Sequence, residues 1–211
     1  MRSKEIESLK KTLRLNSAQR SILVGLLLGD GHLETQNRGQ TYRLKVEHSI
    51  VQKDYVDWLY GKFKDLARTQ PQAKKRKGKN QDSYWFSTYS LGTFRFYAKQ
   101  FYADGRKKIP NVIAKLLNRQ GLAVWFMDDG SYKSNRHRTF IIHAIGYHKN
   151  DLELIKSVLL EKFGIDTAIH RQYGKWRLYI TSHSARKFKH IVEPHIIPSM
   201  KYKLGNIMPK E

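Results

Sequence analysis

Cysteine is absent from the 211 residues. That excludes disulfides, thiol catalysis and the cysteine-containing zinc sites of nucleic-acid fingers, so any metal must be held by oxygen or imidazole. Acidic residues are scarce, 18 Asp and Glu against 40 Lys and Arg, for a formal net charge of +22. Long apolar runs are missing too: the longest near the N-terminus, Ile22 to Leu28, is far too short to span a bilayer, and the opening MRSKEIESLKKTLRL holds no signal-peptide core. Neither a basic amphipathic helix nor a lipidation signal points to a membrane surface. The expectation is an intracellular protein of an organelle matrix or a prokaryotic cytoplasm, with no signal peptide or transmembrane segment.

What is present follows from the charge. A surplus of this size repels itself unless a polyanion absorbs it, and it exceeds the net charge of about 2 to 8 that solubility asks of a small domain. Nucleic acid is the polyanion expected. Aromatic residues make up 12% of the chain, too many for a disordered basic tail.

The chain repeats once. SILVGLLLGDG from Ser21 is echoed by GLAVWFMDDG from Gly121, each an apolar run closing on Asp-Gly. Strand-like runs follow at Thr41 to His48 and Thr139 to Ile145, then helix-like runs at Lys53 to Leu66 and Lys149 to Phe163. Further strands lie around Tyr84 to Ser90 and Trp176 to Ser182, and each half ends on a shorter helix and an Ile-Pro step. Apolar spacing and alternation therefore predict an α+β fold of two αββαββα halves. The expected organisation is an N-terminal helical extension over 1–16, a first half over 17–110 and a second over 111–211. Within the strands Tyr42, Leu44 and Val46 alternate with Arg43, Lys45 and Glu47, and Trp176, Leu178 and Ile180 with Lys175, Arg177 and Tyr179. Each sheet thus has a core face and a basic, aromatic-studded face suited to a DNA groove. Lys74, Lys75, Arg76, Lys77 and Lys79 in one loop, and Arg136 and Arg138 in another, sit where they could grip phosphates.

The two motif runs are apolar nearly all round and should be buried against each other. Gly25 and Gly29 share one helical face and permit close approach, which offsets their cost of about 1 kcal/mol each in helix propensity. Gly31 and Gly130 are expected to end the helices in the left-handed conformation. An acid precedes each terminating glycine, although an anion at a helix C-terminus loses roughly 0.3 to 1 kcal/mol. If Asp30 and Asp129 come together, a divalent cation resolves the repulsion, and Mg2+ suits oxygen ligands that include substrate phosphates.

Leu23 to Gly31 and Leu122 to Gly130 resemble the motif of the LAGLIDADG homing endonucleases, in the single-chain branch that carries two motifs, and the resemblance runs over residues 17 to 207. The second motif departs from the pattern at Val124, where a small residue is usual, and at Asp128, where Ala or Gly is common; this implies looser or asymmetric packing. The resemblance implies an antiparallel DNA-binding saddle, motif helices at the interface between pseudo-symmetric halves, and double-strand cleavage across the minor groove leaving 3′ overhangs. It implies Mg2+, with Mn2+ as a substitute, held by Asp30 and Asp129 with Gly29 and Asp128 beside them. It implies basic residues at the ends of the halves, matched by Lys107 and Lys203, and polar groups that organise water, matched by Glu47 and His143. Base and backbone contacts are expected from Arg43, Lys45, His48, Arg171, Tyr173, Lys175, Arg177 and Tyr179, on a long, nearly asymmetric double-stranded target read by a monomer. The alternatives are an RNA-splicing maturase, a non-cleaving DNA-binding protein on the same fold, and a basic ribosome-associated protein, which would leave the duplicated Asp-Gly helices unexplained.

Overall fold

The computed structural model describes residues 3–75 and 81–205. Arg76, Lys77 and Lys79, expected at the phosphate backbone, lie outside the described residues. The chain forms two compact units that do not follow chain order: Met1–Leu23 with Asp30–Lys99, and Val24–Gly29 with Gln100–Glu211. No described helix is long and apolar enough to cross a membrane.

In the first unit, α1 (Ser3–Thr12) precedes α2 (Ser17–Leu28), whose last residues belong to the second unit. There follow β1 (His32–Glu34), β2 (Arg43–Ser49), α3 (Lys53–Phe63), β3 (Gln72–Lys74), β4 (Ser83–Ser87) and α4 (Arg95–Phe101). The strands form one antiparallel sheet in the order β1-β2-β4-β3. Leu44, Val46 and Phe86 are buried, as are Tyr55, Val56, Leu59 and Phe63 of α3, and the Tyr60 ring meets the Phe86 ring edge-on at 5.7 Å. One face of the sheet is therefore covered by a helix, as the alternation requires. Arg43, Lys45 and Glu47 point the other way and stay partly exposed.

The second unit repeats the scheme. A short ribbon of β5 (Tyr102–Ala103) and β6 (Arg106–Lys107) leads through α5 (Ile113–Leu116) to α6 (Arg119–Asp129), β7 (Gly130–Tyr132), β8 (Phe140–Ile142), α7 (Lys149–Phe163), β9 (Thr167–Gln172), β10 (Lys175–Ile180) and α8 (Ser182–Val192). The strand order β7-β8-β10-β9 reproduces that of the first sheet. Asn118 caps α6 by accepting from the Gly121 N–H at 2.9 Å. Gly164 ends α7 in the left-handed conformation at φ 61°. The rings of Phe126, Phe140 and Phe188 meet at 5.1 to 5.4 Å to form the centre of this core.

Two expectations about the motif helices need correction. Gly130 has φ −85° and ψ 153°, extended rather than left-handed, and Gly31 is not among the glycines of positive φ either. Gly130 is needed for room: a Cβ there would collide with the Phe126 ring and carbonyl. The packing against the second motif is asymmetric but not loose. Within the second unit Gly25 faces Gly121 and Val124, and Gly29 faces Asp128, so each small residue of the first motif seats a bulkier one of the second. Leu122 to Met127 are fully buried, and Ile22, Leu23, Val24, Leu26, Leu27 and Leu28 are each at most 1% exposed.

Candidate functional site

The motif helices place their acids at carbonyl ends, where the backbone supplies partial negative charge. In the first unit Asp30 stands just beyond α2, its side chain half-exposed, with one carboxylate oxygen 3.7 Å from His48 Nδ1. In the second unit Asp129 ends α6 and accepts from the Trp125 indole N–H at 3.2 Å. The Asp128 carboxylate lies directly against Gly29.

Two lysines meet the same helix ends. The Lys107 ammonium, on β6, donates to the Gly29 carbonyl, and the Lys203 ammonium, in the 3-10 turn Pro198–Leu204, donates to the Met127 carbonyl and to that of Asp128 at 3.2 Å. Each ammonium thus offsets the negative end of a motif helix beside its acid. The buried Tyr147 hydroxyl donates to the Leu28 carbonyl at 2.9 Å. Burial, then the charges of Asp129, Tyr102 and Asp151, push that phenol far above its ordinary value, so it remains a donor. Tyr147→Phe removes this bond and leaves a buried carbonyl short of a partner, and should lower stability by about 1 kcal/mol. In thermal unfolding that is a fall of roughly 2 to 4 °C for a chain of this size; an unchanged midpoint would deny the phenol that role.

Of Glu47 and His143, expected to organise water, Glu47 lies on the open face of the first sheet and His143 directly follows β8. Glu47 pairs with Lys45 at 3.1 Å. His143 Nε2 lies 3.0 Å from the Ser131 hydroxyl, and its backbone N–H donates to the Asp129 carbonyl at 2.9 Å. Burial, followed by the positive charges of Arg177 and Lys203, holds the His143 ring below its ordinary value, so it is neutral at pH 7.

Among the residues expected at DNA, Arg43, Lys45 and Lys74 lie on the open face of the first sheet, and Lys175, Arg177 and Tyr179 on that of the second. Lys75, Arg136 and Arg138 are exposed in loops. Tyr173 projects from the two-residue turn between β9 and β10 and is 87% exposed. Two residues must be moved. His48 is on the covered face, 5% exposed, its ring edge-on to Tyr55 at 5.1 Å. Arg171 pairs in register with Trp176 and stacks over its ring at 5.5 Å, on the side opposite Lys175 and Arg177.

Sequence reading missed the acid that organises the first open face. Glu34 pairs in register with Arg43, and its carboxylate accepts from Arg43 Nε at 2.9 Å and Nη2 at 2.7 Å. The polar-apolar-polar order His32-Leu33-Glu34 is its signal, in a strand of only three residues.

The sequence profile of the LAGLIDADG DNA endonuclease family matches residues 20–188. A probable intron-encoded endonuclease of Wickerhamomyces canadensis is 29% identical over 213 residues, covering 96% of this chain and 90% of that protein. The cytochrome b mRNA maturase bI2 of Saccharomyces cerevisiae is 30% identical over 209 residues, covering 92% of this chain but 49% of the maturase. Among solved structures, the homing endonuclease I-WcaI bound to its DNA recognition sequence superposes with a TM-score of 0.89 at 27% identity, over 96% of this chain and 92% of that one. With a profile match across most of its length and both Asp-Gly motifs in place, this chain belongs to the LAGLIDADG DNA endonuclease family.

Proposed function

We propose that this chain is a divalent-metal-dependent, site-specific DNA endonuclease that acts as a monomer on a long, nearly asymmetric duplex target and leaves 3′ overhangs. The observation that carries the reading is the duplicated motif helix, each copy ending in an acid beside a lysine bound to backbone carbonyls. An acid at a helix C-terminus costs stability in a structural protein, whereas carboxylates are what a metal-assisted phosphodiester hydrolysis uses as ligands. The donor set fits a hard divalent cation: partly exposed carboxylates at helix C-termini, with no thiolate in the chain. Asp30 and Asp129 would hold the metal, with Asp128 and the Gly29 carbonyl as neighbours; Mg2+ is the ion proposed and Mn2+ its substitute. Such an ion lowers the pKa of attacking water and stabilises the entering and leaving oxygens.

The chain's own residues do the rest. Lys107 and Lys203 steady charge developing on the phosphate, exchanging carbonyl oxygens for phosphate oxygens as acceptors. Glu47 and His143 orient water, His143 as a neutral ring anchored by Ser131. Arg43, Lys45, Lys74, Lys175, Arg177 and Tyr179 face the major groove, while Lys75, Arg136 and Arg138 hold phosphates. Incubating the protein with a randomised duplex library in Mg2+ and sequencing the cut ends tests this reading. Double-strand cuts at a shared long site should appear, and chelation by EDTA should abolish them; cutting that survives EDTA, or no cutting in Mg2+ or Mn2+, would refute it. The maturase name of one relative supports a second reading, RNA splicing, which predicts cognate-intron binding at least as tight as duplex binding.

A further inference from the structure

The N-terminal helix α1 leaves most of its surface to solvent. A helix of ten residues is marginal alone, yet from Lys4 to Thr12 only Ile6 and Lys10 are even partly buried. What secures it lies at its C-terminal end. There the Arg14 guanidinium donates to the Lys11 carbonyl at 2.7 Å and to the Leu13 carbonyl at 2.9 Å, and Leu15 is buried. Beside that end, within the first unit, a cavity of about 620 Å³ stays open.

α1 supplies three cations to the lining of this cavity, Lys10, Lys11 and Arg14, and one acid, Glu7, which holds Lys10 at 2.7 Å. The sheet side contributes hydroxyls, from Thr41, Ser90 and Thr93, and the oxygens of Thr41 and Ser90 lie 3.1 Å apart. Ammonium, guanidinium and hydroxyl groups together make a lining rich in donors, which suits an anion that offers several oxygens.

The place of the cavity in the sheet indicates which anion. β1 begins two residues after the motif acid Asp30, and β2 returns antiparallel to it with Arg43 paired to Glu34. The residues just before Arg43 therefore stand at the end of the sheet away from Asp30. Tyr42 bridges Leu91, so strand alternation continues past Arg43 and puts Thr41 on the open side with it. The cavity thus borders the outer end of the face that carries Arg43 and Lys45. A duplex lying along that face and continuing outward brings its backbone past α1.

We propose that this cavity binds the phosphodiester backbone of the duplex beyond the base pairs that the first sheet reads, with Lys10 and Lys11 as the phosphate-binding groups. α1 then lengthens the footprint at one end of the target, and Glu7 occupies Lys10 until phosphate oxygens displace it. The site rests on the DNA-binding reading above, and its failure can be told apart from failure of that reading.

The test compares the full chain with K10Q/K11Q, E7Q and a control, R186Q/K187Q, which removes two cations from the exposed side of α8. Affinity for random-sequence duplex is measured across a salt series, and hydroxyl-radical footprints are taken on a target recovered by binding selection. K10Q/K11Q should make the log–log salt slope shallower by about 1.8, or 0.9 per phosphate contact, and strip protection from one flank only, with an unchanged thermal midpoint. E7Q, whose gain cannot come from misfolding, should bind more tightly by roughly two- to fivefold, the scale of an exposed ion pair. R186Q/K187Q should keep the slope and footprint of the parent. Trimming the duplex on the protected flank should erase the difference between the parent and K10Q/K11Q. An unchanged slope and footprint in K10Q/K11Q, no tightening in E7Q, an equal loss in the control, or a difference that survives trimming overturns the site while leaving DNA binding intact. A parent chain that binds no duplex sinks the function itself and this site with it.

Discussion

Asp30→Asn and Asp129→Asn combined should reduce cleavage at least about 10²- to 10³-fold, the scale lost when one preorganised electrostatic element is removed from a site, while duplex affinity stays within a few-fold. Asparagine keeps the shape and an acceptor oxygen, so Asp129→Asn retains a partner for the Trp125 indole N–H. It removes the negative charge that a divalent cation needs. Stability should move the other way. An anion at a helix C-terminus costs roughly 0.3 to 1 kcal/mol, so each single variant should melt at the same temperature as the parent or slightly above it. A loss of activity paired with unimpaired stability marks residues kept for chemistry rather than folding. Asp128→Asn measured beside Asp129→Asn apportions metal binding between neighbouring acids that touch different partners, Gly29 and Trp125. A double variant that still cut its site in Mg2+ would remove both acids from the mechanism.

Much of the fold can be read from the sequence because its signals are long. The run Lys149 to Phe163 is a helix with those bounds, ended by Gly164. Lys53 to Leu66 is helical to Phe63 and closes with a 3-10 turn over Lys64–Leu66. Both apolar motif runs are buried, as helices without a polar side must be.

One misplaced residue depends on how two strands pair, the other on alternation within a single strand. Arg171 shares odd numbering with Lys175, Arg177 and Tyr179, but the two-residue turn Tyr173-Gly174 pairs Gln172 with Lys175 and so carries Arg171 to the other face. His48 continues the inward alternation of Leu44 and Val46, and so lies on the covered face rather than with Arg43 and Lys45. The ribbon that carries Lys107 escapes a search for long strands, yet its Asp104-Gly105 turn, with φ of 49° and 74°, is the strongest short hairpin signal a sequence offers. The lysine contacts with helix carbonyls have no sequence signal, since they join residues 78 and 76 positions apart.

Gly25→Ala should destabilise the protein by about 1 to 3 kcal/mol, the usual cost of overpacking a filled core. On an isolated helix the same change would stabilise by about 1 kcal/mol, so the sign of the result decides between propensity and packing. Packing should win. The added Cβ would collide with the Gly121 carbonyl oxygen, a backbone atom held in the first turn of α6, and would come within 2.6 Å of Val124 Cβ. Neither neighbour is the mobile end of a long side chain, and both belong to a helix with no exposed apolar residue toward which it could relax. The expected fall in thermal midpoint is several degrees, at about 2 to 4 °C per kcal/mol for a chain of this length. Val124→Ala in the same background should return only part of the loss, because it clears Cγ1 but leaves the Cβ at that position and the Gly121 carbonyl in place. Gly29→Ala is a parallel case, since its Cβ would meet Asp128 Cβ at 2.5 Å. There the collision also displaces a carboxylate at the proposed metal site, so cleavage should fall further than stability alone accounts for. If Gly25→Ala raised the midpoint, close approach of the motif helices would no longer explain why glycine stands at that position.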